Sequence, residues 1–227
     1  VRALTGILAD RLAEEKARGL SITLGFAWRT YGDGVIDFLD APGHEDFLRA
    51  MVTGTAGARA ALLVVSATEG VARQTREHVR IAQWLGLRSG VVAVTKCDLL
   101  APGQDITVRA ALAAELAGSF LADAPVVFCS AVTGAGLDTL HAELAELARR
   151  APQQDAAPGA ILPVDRVFSV AGAGTVVTGT LLGGALSAGG AAVLTPSGRA
   201  VTLRGLQRHG EAVSEAAPGG RVAASLR

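Results

Sequence analysis

From Ala60 to Arg149 short apolar runs alternate with segments of helical periodicity, and that alternation constrains the fold more than any other feature of the chain. Ala60 to Ser66, Gly90 to Val94 and Val126 to Cys129 read as strands, while Arg73 to Leu85, Val108 to Ala117 and Leu137 to Arg149 read as helices. Strands separated by helices imply a mainly parallel sheet with helices on both faces. Upstream, Ile22 to Trp28 and Val35 to Leu39 flank Thr30-Tyr31-Gly32-Asp33-Gly34, which has the turn chemistry of a hairpin, so those two runs should pair antiparallel. Ala9 to Arg18 carries a charged helical pattern.

The character of the chain changes after Arg150. Residues 151–160 hold Pro152, Pro158 and Gly159 without periodicity and read as a linker between a first domain at 1–150 and a second at 161–227. Beyond Leu162 the runs are short and β-branched, as in Val176-Val177-Thr178, and glycine pairs punctuate them, which predicts a small all-β barrel. Gly172-Ala173-Gly174 lies among strands rather than at a helix start, so it is a tight barrel turn and not a dinucleotide fingerprint. The final run, Arg221 to Arg227, ends without a turn, as if the barrel were incomplete.

Composition narrows the function. With 21 basic and 21 acidic residues the chain has no broad field for gripping nucleic acid, so any RNA contact must be local. The cysteines, Cys97 and Cys129, form neither a metal pattern nor a disulfide framework, which suits a reducing cytoplasm. No run approaches the length of a membrane span. His78, His141 and His209 share no metal spacing and read as structural or exposed.

Two motifs stand at strand ends, where open α/β sheets bind ligands. In Asp40-Ala41-Pro42-Gly43-His44 a carboxylate can hold Mg²⁺ while the Gly43 amide approaches a terminal phosphate, a distance that only a residue without Cβ allows. The same residues also suit a plain strand-to-helix turn, and His44 can either position an attacking water or cap that turn. In Thr95-Lys96-Cys97-Asp98 the Asp98 carboxylate can accept two bonds from the N1 and N2 donors of guanine, with the Lys96 stem over the base; alone, such a tetrapeptide is also an ordinary solvated loop. In third position, Cys129-Ser130-Ala131 offers a backbone amide to the guanine O6. The only lysines are Lys16 and Lys96, and neither belongs to a G-x-x-x-x-G-K-[ST] phosphate loop.

Residues 4 to 150 resemble the GTP-binding domain of the translational GTPases. The likeness rests on Glu15-Lys16-Ala17-Arg18-Gly19, on Asp40 to Phe47, on Gln74-Thr75-Arg76-Glu77-His78 and on Thr95-Lys96-Cys97-Asp98, in that order. The resemblance implies a P-loop-NTPase-like sheet followed by the family's second-domain barrel, with GTP or GDP and Mg²⁺ as cofactors. It implies His44 as the residue positioning water, Asp40, Gly43, Thr95, Lys96, Asp98, Ser130 and Ala131 around the nucleotide, and Ser21 with Asp40 at the metal. It further implies that the first strand and phosphate loop lie just upstream of Val1, so that the chain by itself should bind GTP poorly.

Within that family the likeness is strongest to the selenocysteine-specific elongation factors. Arg18 to Trp28 resembles their first switch and the strand after it, and Thr95 stands where general factors usually carry asparagine, a shorter brace for the phosphate loop. Ser21 replaces the usual metal-binding threonine, keeping the hydroxyl but losing β-branching. Val164 to Phe168 and Gly172 to Thr180 resemble the second domain of these factors, which places Asp165, Arg166 and Arg221 at an aminoacyl pocket. A selenol is anionic at neutral pH, so a guanidinium would favour selenocysteine over serine, with Asp165 orienting an arginine or meeting the α-amino group. An ordinary exposed Asp-Arg pair is the plainer reading.

The resemblance thus implies a monomeric, cytoplasmic GTPase that delivers selenocysteyl-tRNA to the ribosome at recoded UGA codons. Contact with a selenoprotein mRNA hairpin would come through C-terminal domains outside these residues. The rivals are a general aminoacyl-tRNA carrier and a non-enzymatic interaction module that has lost its phosphate loop.

Overall fold

The computed structural model describes residues 1–9, 23–32, 34–42, 52, 57–151 and 159–227. All of the predicted helix from Ala9 to Arg18 but its first residue, together with Ser21, Gly43, His44 and most of the predicted linker, lies outside the described residues. The chain divides into two compact units, Val1–Pro152 and Gln153–Arg227.

The first unit opens on a single helical turn, α1 (Arg2–Thr5), closed by Gly6 in the left-handed region. The expected hairpin follows as β1 (Gly25–Tyr31) and β2 (Gly34–Asp40), antiparallel and in unbroken register from Gly25 opposite Asp40 to Tyr31 opposite Gly34. Then come β3 (Ala61–Ser66), α2 (Arg73–Trp84), β4 (Gly90–Thr95), α3 (Gln104–Leu116), β5 (Val126–Phe128) and α4 (Leu137–Arg150). The three strands form a parallel sheet in the order β3-β4-β5, as the alternation predicts.

The residues Gly90-Val91-Val92-Ala93-Val94 are buried throughout because β4 is central and covered on both faces. Val91 and Ala93 pack with Leu140 and Leu144 of α4, with Phe38 and Ala27 of the hairpin and with Leu4. Val92 and Val94 point the other way, into Val79 of α2 and Leu112 and Leu116 of α3. Burying each such aliphatic side chain contributes about 1.5–3 kcal/mol.

The helix α3 starts at Gln104, earlier than its apolar periodicity predicts. Gly103 turns the chain with φ 81° and the Gln104 side chain accepts the Ala101 N–H at 2.9 Å, so a polar, exposed first turn extends the helix without an apolar signal. No ladder among the described residues joins β2 to β3, although Phe38 shares a core with Val91 and Ala93. Among the described residues β3 ends the parallel sheet, and Val64, midway along it, is 57% exposed.

The second unit is antiparallel throughout. Its strands are β6 (Ala160–Ile161), β7 (Val164–Val170), β8 (Gly174–Thr180), β9 (Leu182–Gly183), β10 (Leu186–Ser187), β11 (Ala191–Leu194), β12 (Arg199–Arg208), β13 (Glu211–Val213), β14 (Glu215–Ala216) and β15 (Arg221–Leu226). The main sheet runs β11-β12-β15-β8-β7 with β13 on β12, flanked by the ladders β6-β9 and β10-β14. Val177, Leu181, Leu203, Leu206 and Val222 fill its core. This is the barrel-like, all-β unit that the short β-branched runs predict, and Gly172-Ala173 lie in the β7-β8 hairpin turn with Gly174 opening β8. Among the described residues no helix is long and apolar enough to cross a membrane.

Candidate functional site

Two loops leave the carboxyl ends of β4 and β5 and are stitched to each other. The Cys97 N–H donates to the Cys129 carbonyl at 3.3 Å, which sets Thr95-Lys96-Cys97-Asp98 beside Cys129-Ser130-Ala131. Lys96 takes a left-handed conformation, φ 59°, and turns the chain out of β4 into a short 3-10 turn, Cys97–Leu99. Asp98 is exposed and takes no hydrogen bond or ion pair among the described residues.

The second loop is built around a buried hydroxyl. Ser130 is fully buried, and its Oγ accepts the N–H groups of Val132 and Thr133, both at 3.2 Å. The Ser130 N–H donates to Ala135 and the Ser130 carbonyl accepts from Gly134. Ala131 lies between these committed groups, exposed, and its N–H has no acceptor among the described residues. A carboxylate and an N–H are thus left available on neighbouring loops, the donor and acceptor set that the guanine edge requires. Gly136 closes the turn with φ 70°, and a Cβ there would fall 2.0 Å from the Phe128 carbonyl oxygen, so only glycine fits.

The other predicted residues of this region are placed as follows. The Thr95 hydroxyl donates to the Val65 carbonyl at 3.2 Å and ties β4 to β3. The Lys96 ammonium lies on Glu69 at 2.7 Å, and that contact draws the Glu69 carboxyl below its ordinary pKa. Both side chains of this pair are at least half exposed, so it adds little to stability and leaves the lysine free to exchange partners. Glu69 had no sequence signal beyond its position in a turn after β3. Asp40 ends β2 and Pro42, two residues on, is fully buried, fixing where the chain departs from the hairpin.

Behind the Asp98 loop, against α3, a depression of about 510 Å³ is lined by Cys97, Pro102, Asp105, Arg109 and Phe128. Neither Asp98 nor Lys96 lines it, so it backs the loop rather than opening onto those side chains. Among the described residues no three His, Cys, Asp or Glu side chains gather as a metal cage.

In the second unit Arg221 of β15 pairs with Asp165 of β7 through two parallel bonds, Nη1 to Oδ2 at 2.6 Å and Nη2 to Oδ1 at 2.8 Å. The side chains are 13% and 4% exposed, so this is a buried fork and not the surface pair of the plainer reading. Asp165 Oδ1 accepts from Arg221 and Thr178 and Oδ2 from Arg221, so the carboxylate orients an arginine. Arg166, half-buried, stands opposite Thr178 of β8. Thr178, which sequence reasoning did not single out, bonds both members of the fork.

Residues 2–150 match the family described as the elongation factor Tu GTP binding domain, and the chain belongs to that family of translational GTPases. Over all 227 residues the chain is 47% identical to the selenocysteine-specific elongation factor of Desulfomicrobium baculatum. Among solved structures it is similar to a bacterial selenocysteine-specific elongation factor EF-Sec, with a TM-score of 0.93 and 36% identity over 99% of this chain and 39% of that one. It is also similar to the translation elongation factor SelB of Methanococcus maripaludis in complex with the GTP analogue GppNHp, with a TM-score of 0.85 and 30% identity over 91% of this chain and 46% of that one. The chain spans 36–37% of the length of the selenocysteine-specific relatives it matches.

Proposed function

We propose that this chain supplies the guanine-nucleotide domain, residues 1–150, and the following barrel, residues 161–227, of an elongation factor that carries selenocysteyl-tRNA to the ribosome at recoded UGA codons. The nucleotide part is supported by the stitched loops, which leave Asp98 and the Ala131 N–H for the base edge. It is supported too by family membership and by a relative whose structure holds a GTP analogue. In the whole protein GTP would order the switch around Ser21 and hydrolysis would release the tRNA, with His44 positioning the attacking water.

Asp40 is a hard oxygen donor at a strand end, and it fits the mode in which one or two protein oxygens and the substrate phosphates together hold Mg²⁺. Asp40 and Ser21 would be its protein ligands, and the ion would supply charge neutralisation on the phosphate oxygens. The 227 residues contain no phosphate loop, so nucleotide binding by this chain alone is expected to be weak.

The observation that carries the selenocysteine reading is the buried Arg221 guanidinium, fixed by Asp165. An anionic selenolate gains a charge-assisted bond at such a group that a neutral serine hydroxyl does not. The test is capture of selenocysteyl-tRNA against seryl-tRNA and other aminoacyl-tRNAs by the intact protein. Preference for selenocysteyl-tRNA is expected; equal capture of all of them would leave a general carrier, and capture of a protein partner without nucleotide would favour the interaction module.

A further inference from the structure

The geometry around Arg221 depends on a break in the β7-β8 ladder. Val164 stands opposite Gly179 and Arg166 opposite Thr178, so Asp165 is the extra residue of a bulge and shares Thr178 with Arg166. A bulge of this kind re-aims the side chain at the extra position, here onto a residue two strands away. Gly179 allows it: a Cβ there would lie 2.1 Å from the Pro163 carbonyl oxygen, so no other residue permits this approach of the two strands.

Thr178 closes the arrangement into a triangle. Its Oγ1 donates to Asp165 Oδ1 at 2.9 Å and accepts from Arg221 Nη2 at 3.2 Å. The hydroxyl proton and a lone pair are both assigned, so the rotor has one orientation, and the β-branch stiffens χ1. The two bonds to Asp165 hold the guanidinium along one edge, and the Thr178 hydroxyl adds a third point that resists rolling of its plane about that edge.

We propose that Thr178 is a specificity-determining positioning residue, whose hydroxyl fixes the plane of the Asp165–Arg221 pair so that the guanidinium meets an anionic amino-acid side chain in one geometry. This rests on the aminoacyl-pocket reading given above. Selectivity between a selenolate and a hydroxyl is a difference of affinities, and a guanidinium free to roll loses the directional part of that difference.

The test compares the intact GTP-bound protein, unsubstituted, with Thr178→Val, which keeps the shape and removes the hydroxyl, and with Thr178→Ser, which restores it. Side-chain NMR of the arginine-labelled chain should show slow guanidinium rotation at Arg221 in the unsubstituted protein and in Thr178→Ser, and averaged Nη signals in Thr178→Val. In competition, Thr178→Val should lower the ratio of selenocysteyl-tRNA to seryl-tRNA binding by about tenfold, the scale of one charge-assisted bond, with seryl-tRNA binding unchanged. Slow rotation that survives in Thr178→Val, an unchanged ratio, or equal loss of both tRNAs would overturn the positioning role and leave the pocket standing. An unsubstituted protein with no preference would instead overturn the pocket.

Discussion

The loops after β4 and β5 and the ion pair of the second unit are built by opposite means. Main-chain groups shape the loops: the Cys97 N–H on Cys129, two N–H groups on the Ser130 hydroxyl, and a glycine at 136 that no side chain can replace. The side chains left over, Asp98 above all, point outward. In the barrel the reverse holds, since Asp165, Thr178 and Arg221 are themselves the architecture and lie largely inside it. A frame made of backbone can lose an outward side chain and keep its shape. A frame made of buried charge cannot.

The largest effect should come from leaving half of that charge behind. Asp165→Ala strands the Arg221 guanidinium at 13% exposure and should destabilise the second unit by about 3–5 kcal/mol, read by urea unfolding. A loss under about 1 kcal/mol would mean the fork is worth no more than a surface bridge. Next, Gly136→Ala forces a Cβ to 2.0 Å from the Phe128 carbonyl at a positive φ, and should cost the first unit about 2–3 kcal/mol. A melting temperature unchanged by that substitution would show the loop yielding rather than framing.

Ser130→Ala removes the acceptor of two N–H groups and should cost about 1–2 kcal/mol. By contrast Asp98→Ala should leave the same melt unchanged, and a comparable loss there would erase the distinction between frame and reader. The smallest effect is on pH dependence. Burial holds His78 and His141 below the ordinary value of 6.5, with Arg29 acting in the same direction at His141, whose Nδ1 meets the Tyr31 hydroxyl at 2.8 Å. The unfolded chain then binds more protons than the fold as pH drops through about 6.5, so stability is complete above that pH and declines below it. Thermal melts between about pH 7.5 and 5.5 should show the first unit weakening on acidification; strengthening would contradict the sign.

What was legible beforehand follows the same division. The α/β alternation, the hairpin and the all-β second unit could be read because local periodicity and turn residues report local structure. The adjacency proposed for base reading was legible only as two separate strand-end motifs, each a few consecutive residues; the Cys97–Cys129 bond that joins them is a tertiary contact. The start of α3 was not, since its first turn is polar and is set by Gly103 and the Gln104 side chain. Glu69 as the partner of Lys96 was not either, being 27 residues away.

The sequence by itself determined the class of fold and set candidate motifs at strand ends, because strand and helix periods and strand-end motifs are properties of neighbours along the chain. Only the tertiary structure decided that Arg221, 56 residues away, pairs with Asp165, and that Thr178 joins them. A bulge placed by the register of β7 against β8 aims Asp165, and register is set by contacts between distant strands that no local pattern encodes.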